Sequence, residues 1–269
     1  MYVIQKSNKY GLKQSSITKE RARMWCNTKP QAYCYAELNG SAAADALFAA
    51  QQILDSISIS YGNKLLNIGY SQGAQTALAA LPLFNQIETK TFLGEGIYDL
   101  VSYYNEAIEK DIIEIPADIP LTLITAIECT GAHITYTQCF ADSKQVQLVN
   151  DALSKQYSFL ELNTRVGSNR LSDILSLQLC DTTTEEYKEL ASALKKMSYI
   201  PYDEIEKRNK IYLFHSTTDY IMPITQSHFL ETTLNEIGIR KVYHKYADWG
   251  SHDEAILPFV KYVLIRTLM

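Results

Sequence analysis

Gly69-Tyr70-Ser71-Gln72-Gly73 constrains this chain more than any other stretch, because its flanks fix its setting. Before it stands a short apolar run, Leu65-Leu66-Asn67-Ile68, of a length suited to a buried strand. After it stands a run of helix formers, Ala74-Gln75-Thr76-Ala77-Leu78-Ala79-Ala80-Leu81. Strand, sharp turn and helix are the setting a nucleophile elbow needs. Such a turn holds its serine in a strained backbone conformation, and glycines on either side are expected to leave room for neighbouring chain. The serine hydroxyl is then presented above the sheet at the positive end of the following helix, where negative charge on a substrate oxygen is stabilised. The alternative for the same letters is a tight turn that only packs small residues under a helix.

An elbow serine requires an acid and then a histidine, each in a loop after a later strand. Lys210-Ile211-Tyr212-Leu213-Phe214 is β-prone and opens into His215-Ser216-Thr217-Thr218-Asp219-Tyr220-Ile221-Met222-Pro223. Val242-Tyr243-His244-Lys245-Tyr246 reads as a further strand, followed by Ala247-Asp248-Trp249-Gly250-Ser251-His252 and a final helix, roughly Asp253 to Leu268. These positions nominate Ser71 as nucleophile, His252 as general base and then acid, and Asp219 as the group that orients the imidazole. Of the other histidines, His228 sits mid-helix, His244 alternates within a strand, His133 lies between helices, and His215 ends a strand as a loop-shaping residue. Asp99, after the strand Thr91-Phe92-Leu93-Gly94, is the competing acid. Asp248 and Asp253 read as surface charges and caps.

With 269 residues, 46% of them hydrophobic, the chain can bury the core of one large α/β domain with an insertion. Its net charge of −5 and the absence of a basic run argue against nucleic acid as a partner. No apolar segment has the length of a membrane span or a signal peptide, so the sequence as written is expected to be cytoplasmic. The five cysteines, Cys26, Cys34, Cys129, Cys139 and Cys180, are too many by one for a complete intrachain set of disulfides. Cys26 with Cys34, and Cys129 with Cys139, could bridge in an oxidising compartment, and buried free thiols are the preferred expectation. No metalloprotease, P-loop or dinucleotide motif is present, so neither a metal nor another cofactor is expected.

Three segments follow. Residues 1–104 read as the first part of an α/β core, 105–202 as a helical cap insertion, and 203–269 as the rest of the core. Tyr2 to Gln5 reads as the first strand, Lys13 to Gly40 as irregular with Pro30 as a breaker, and Ser41 as the cap of an alanine-rich helix to about Ile57. Within the insertion, helices are expected over Ile119–Cys129, Lys144–Leu162, Arg170–Leu179 and Thr184–Met197.

Gly69-Tyr-Ser-Gln-Gly73, His215-Ser-Thr-Thr-Asp219-Tyr-Ile-Met-Pro223, Gly250-Ser-His252 and Asn8-Lys-Tyr-Gly11 together resemble the α/β-hydrolases, and within them the secretory-lipase family and its bacterial relatives. The resemblance implies a mostly parallel sheet of the α/β-hydrolase type with a helical cap. It implies a serine hydrolase that cleaves carboxylic esters, acting on a small-molecule ester or lipid. It places the oxyanion hole at the backbone N–H groups of Gln72 and Asn8, where Asn8 stands in for the acid that opens a D-x-x-G turn in the family. In that superfamily several strands precede the one ending in this turn, whereas here Tyr2–Gln5 begins the chain. Unpaired backbone on a central strand is costly, so the expectation is that the chain is a truncated form of a longer protein, or that Tyr2–Gln5 pairs differently. A lost upstream segment would make a secreted or periplasmic location the expectation instead. An open sheet edge predicts a homodimer. The rival expectation is a remnant that keeps the triad letters without catalysis and serves as an interaction domain.

Overall fold

The structure is a computed structural model that describes residues 32–62, 64–84, 87–154 and 157–268. The expected strand Tyr2–Gln5, the oxyanion candidate Asn8, and Cys26 lie outside the described residues.

Four strands form one parallel sheet in the order β1 (Lys64–Tyr70), β2 (Glu88–Gly94), β3 (Lys210–Ser216), β4 (Val242–Ala247). Each strand is separated in sequence from the next by helix, which is what parallel pairing demands. In β2 and β3 successive side chains serve different layers. Leu93, Ile211 and Leu213 pack with α1 (Ala36–Ser56), α2 (Gln72–Ala80) and α11 (Thr225–Glu236) on one face. Phe92, Tyr212 and Phe214 pack with Phe259 and Val263 of the C-terminal helix α12 (Ile256–Leu268) on the other.

Helix α1 starts at Ala36, five residues before the expected cap Ser41, which is buried inside it. Gly40 and Ser41 carry the local signature of a helix boundary, but tertiary packing overrides it. A Cβ on Gly40 would lie 2.6 Å from the backbone carbon of Ala79 on α2, so the two helices cross where only small residues fit.

Between β2 and β3 the chain is helical: α3 (Leu100–Lys110), α4 (Asp118–Thr130), α5 (Tyr136–Cys139), α6 (Ser143–Leu153), α7 (Phe159–Val166), α8 (Leu171–Ile174), α9 (Leu177–Cys180) and α10 (Glu185–Ser198). The expected helix Lys144–Leu162 is two helices. Ser158 and Glu161 form a capping box that restarts the chain as α7. Arg170–Leu179 is likewise divided, with Ser176 capping α9 through the Leu179 N–H. These helices pack around a hydrophobic cluster built on side chains such as Leu123, Ile174, Leu190 and Met197, which also takes in Tyr35 and Met222. Cys34, Cys129, Cys139 and Cys180 are free thiols. No helix among the described residues is long and apolar enough to cross a membrane.

Candidate active site

The C-terminal ends of β1, β2, β3 and β4 bring together residues far apart in sequence. In open parallel sheets this edge is where ligands bind, because the loops there are free to carry chemistry while the strands below hold them rigid.

Ser71 leaves β1 with φ 55° and ψ −128°, a conformation that costs a non-glycine residue energy. Two hydrogen bonds over-determine it. The Ser71 N–H donates to the Gly94 carbonyl at 2.9 Å, and the Ser71 carbonyl accepts from the Ala74 N–H at 2.9 Å. Gly69 makes the turn possible, since a Cβ there would lie 2.0 Å from the Gly73 carbonyl oxygen. Gly73 is not required in the same way: a Cβ on it meets nothing within 4 Å. Gln72 begins α2, so its N–H is among those the helix leaves unpaired.

Asp219 follows β3. Its Oδ1 accepts from the Ile221 and Met222 N–H groups, both at 2.9 Å, and its Oδ2 lies 2.7 Å from His252 Nδ1. Burial pushes this carboxyl up, but the His252 hydrogen bond and the other donors outweigh it and hold it below the usual carboxylate range. Burial likewise disfavours the His252 imidazolium, yet the hydrogen bonds it donates to Asp219 and Glu95 prevail and raise it to about 9.

Glu95 was not visible as a site residue in the sequence. It stands one residue beyond β2, fully buried, with φ 44°. Its Oε2 lies 3.1 Å from His252 Nδ1 and 2.5 Å from the Tyr70 hydroxyl, while its Oε1 accepts from the Ser216 N–H at 2.9 Å. Burial is the main cause that raises its pKa. Glu95, Asp219 and His252 offer donor atoms within 4.8 Å of one another, a grouping that could also hold a cation. To ligate one, His252 would have to give up the Nδ1 proton it shares with Asp219.

The competing candidates have structural duties. Asp99 caps α3 by accepting from the Val101 and Ser102 N–H groups. His215 is buried between the Ser227 hydroxyl and the Met222 carbonyl, at 2.7 Å and 2.8 Å, and burial lowers its pKa. His244 pairs with Glu231 on the exposed side of β4. Asp248 accepts from Thr218 and from the Gly250 N–H.

Ser71 and Gln72 face a cleft whose other wall is the helical insertion, through Tyr103 and Tyr104 of α3 and Asp118 and Thr122 of α4. Among the described residues no hydrogen bond joins the Ser71 hydroxyl to His252. The structure thus brings Asp219 and His252 into contact and sets Ser71 at a strained turn on the same edge of the sheet.

No protein-family model matches the sequence, and no curated protein does. Solved structures do. The rice cell wall degrading esterase LipA from Xanthomonas oryzae superposes with a TM-score of 0.72 at 15% identity, over 88% of this chain and 66% of that one. A candidate hydrolase from Legionella pneumophila gives 0.71 at 15% identity, over 88% and 64%. Candida antarctica lipase A in its closed state gives 0.51 at 14% identity, over 88% and 56%. The chain spans about two thirds of the length of the first two. Parallel sheet, strained turn after β1 and these superpositions together establish that the chain has an α/β-hydrolase-like fold.

Proposed function

We propose that this protein is a serine hydrolase that cleaves carboxylic esters through Ser71, His252 and Asp219. The observation that carries the reading is the 2.7 Å contact between His252 Nδ1 and Asp219 Oδ2, made at the same sheet edge as a serine held at φ 55°. Ser71 Oγ attacks the ester carbonyl as His252 Nε2 takes its proton, and Asp219 keeps the other ring nitrogen protonated. The Gln72 N–H, at the positive end of α2, receives the oxyanion, with Asn8 as the second donor. His252 then returns its proton to the leaving alkoxide. Water, deprotonated by the same imidazole, releases the acid and restores Ser71. The helices of residues 105–202 act as a cap over this cleft, and a small ester or a lipid is the substrate. The esterase and lipase activities of the similar solved structures lean the same way.

A fluorophosphonate probe tests the reading without knowledge of the substrate, because it reacts only with an activated serine. The wild-type protein is expected to be labelled, and Ser71→Ala and His252→Ala are each expected to abolish labelling. On a short-chain aryl ester each should lose several orders of magnitude in turnover, and the double variant little more, since the groups act as one unit. Labelling that survives His252→Ala would sink the triad. The missing hydrogen bond between Ser71 and His252 favours a second reading, a non-catalytic interaction domain, and a folded wild-type protein that resists the probe would establish it.

A further inference from the structure

Asp118 is a buried carboxyl group that the hydrolytic mechanism does not use. It opens α4, only 8% exposed, and lines the cleft that holds Ser71. Its Oδ1 accepts from the Tyr33 hydroxyl at 2.5 Å. Around it stand Tyr103 and Tyr104, whose rings meet edge to face with centroids 5.9 Å apart. No lysine or arginine lines this cleft among the described residues. A carboxylate in such a place has given up water without an ion-pair partner of its own: the only cation among the described residues that acts on it, His252, is already paired with Asp219, and the carboxylate is held by one phenol and the positive end of a helix. Walls of aromatic rings beside a carboxylate with no directly bound cation form the surroundings in which an organic cation is stabilised, by the ring faces and by the charge together.

We infer that the cleft beside Ser71 binds an organic ammonium group, with Asp118 as its counter-ion and the neighbouring tyrosines as its aromatic wall. This deepens the hydrolase reading and rests on it for the claim that the ammonium belongs to the substrate: an ester carrying a quaternary or protonated amine within reach of the scissile carbonyl. Neutral esters lack the charge that would repay Asp118 for its burial, so the site discriminates against them.

The groups facing Asp118 allow its ionisation to be read cleanly. Burial raises its carboxyl to about 6, with the Tyr33 hydrogen bond and the charge of His252 opposing. Tyr33 and Cys34 on the segment before α1, and Tyr103 and Tyr104 on α3, are all pushed upward by burial and stay neutral near that pH. His252, raised to about 9, stays protonated there. Asp118 alone of these groups changes charge between pH 5 and 7, so cation binding should be present above about 6 and lost below it.

Choline and its neutral carbon isostere, 3,3-dimethylbutan-1-ol, differ in charge but hardly in shape, and neither can be hydrolysed. Calorimetry on the full chain at pH 8 is expected to show choline binding at least about tenfold more tightly than the isostere. That preference should shrink at pH 5 and vanish in Asp118→Asn, which keeps the size and the acceptor for Tyr33. Equal binding of the two ligands by the wild-type protein overturns the inference, whether or not the variant folds. So does an undiminished preference in a folded Asp118→Asn. A parallel assay compares butyrylthiocholine with 3,3-dimethylbutyl thiobutyrate. Selective choline binding without turnover of either ester, and without fluorophosphonate labelling, would uphold the cation site and defeat the hydrolase reading. Turnover of both esters with no choline preference would do the reverse.

Discussion

Tyr70 has one hydroxyl proton and two neighbours to satisfy, Glu95 Oε2 at 2.5 Å and the His252 carbonyl at 2.6 Å. A carbonyl can only accept. If Tyr70 donates to it, Glu95 must donate to Tyr70, which requires a protonated carboxyl. Burial moves the Glu95 carboxyl toward that form, while its hydrogen bonds with His252 and Tyr70 pull the other way. In that arrangement Asp219, at 2.7 Å, is the nearer anionic partner of His252, and Glu95, at 3.1 Å, chiefly positions the ring. Gln can imitate a neutral Glu here, whereas Ala cannot. Glu95→Gln should keep ester turnover within roughly threefold of wild type, while Glu95→Ala, which leaves Ser216 N–H unpaired and the ring loose, should lose about a hundredfold. Equal damage from both would show that the negative charge is what His252 needs. Turnover should also climb with pH. A base raised to about 9 is an imidazolium below that value and a working base above it, so kcat/KM should rise across pH 7 to 9. A flat profile over that range would contradict the strength of the His252 pairing. Stability runs the other way: the charged pair stabilises the fold fully below the unfolded value near 6.5, and this contribution is lost as pH rises through about 9. Asp219 and His252 were legible in the sequence because each follows a β-prone run in the order an elbow demands. Glu95 was not, since its role arises only when β1, β3 and the loop after β4 converge on it. The one local sign is its place between Gly94 and Gly96, directly past a strand.

At the scale of the element, the turn from β1 to α2 shows why two glycines in one motif are not equivalent. A methyl group on Gly69 would collide with the Gly73 carbonyl oxygen at 2.0 Å and its carbon at 2.4 Å, both backbone atoms that cannot step aside. Gly73 has open space around its missing Cβ and lies within α2, where glycine is a poor helix former. Gly69→Ala should therefore cost about 3 kcal/mol or more and disorder the serine, while Gly73→Ala should be neutral or stabilise by about 0.5–1 kcal/mol. Thermal melts of the two variants, with probe labelling as the second readout, distinguish them. A Gly69→Ala protein with unchanged melting and labelling would mean the turn relaxes in a way this geometry does not allow. The elbow was legible because its constraints are local. The start of α1 was not, because Gly40 reads as a break until Ala79 is placed against it. The restart at Ser158 is marked in the sequence by a Ser-x-x-Glu box, but the apolar periodicity of Lys144–Leu162 runs across it.

Across the whole molecule, burial is uneven. The face of the sheet under α12 is covered over β2 and β3, where Phe92, Phe214 and Phe259 pack, but over β1 only at its end, where Tyr70 meets Phe259. The register sets Leu66 opposite Lys90 and Ile68 opposite Phe92, so both side chains share that face with Phe92. They are 41% and 49% exposed. Leu257, Val260 and Leu264 of α12 are also exposed, and β1 is an edge of the sheet among the described residues, as β4 is on the other side. Exposed apolar side chains beside a free strand edge favour association with a second chain, both by apolar contact and by backbone pairing. The homodimer is thus a proposal with a physical site, β1. Light scattering after size-exclusion chromatography should show self-association that increases with concentration. Replacing Leu66 and Ile68 together by Lys should shift the population to monomer with little change in melting temperature, because each is half exposed and contributes little to the folded core. An edge lysine also opposes strand pairing directly, since a second chain would bring its own like charge alongside. A clean monomer at high concentration in the wild-type protein would mean that this face is covered or that its exposed area is too small to hold two chains together.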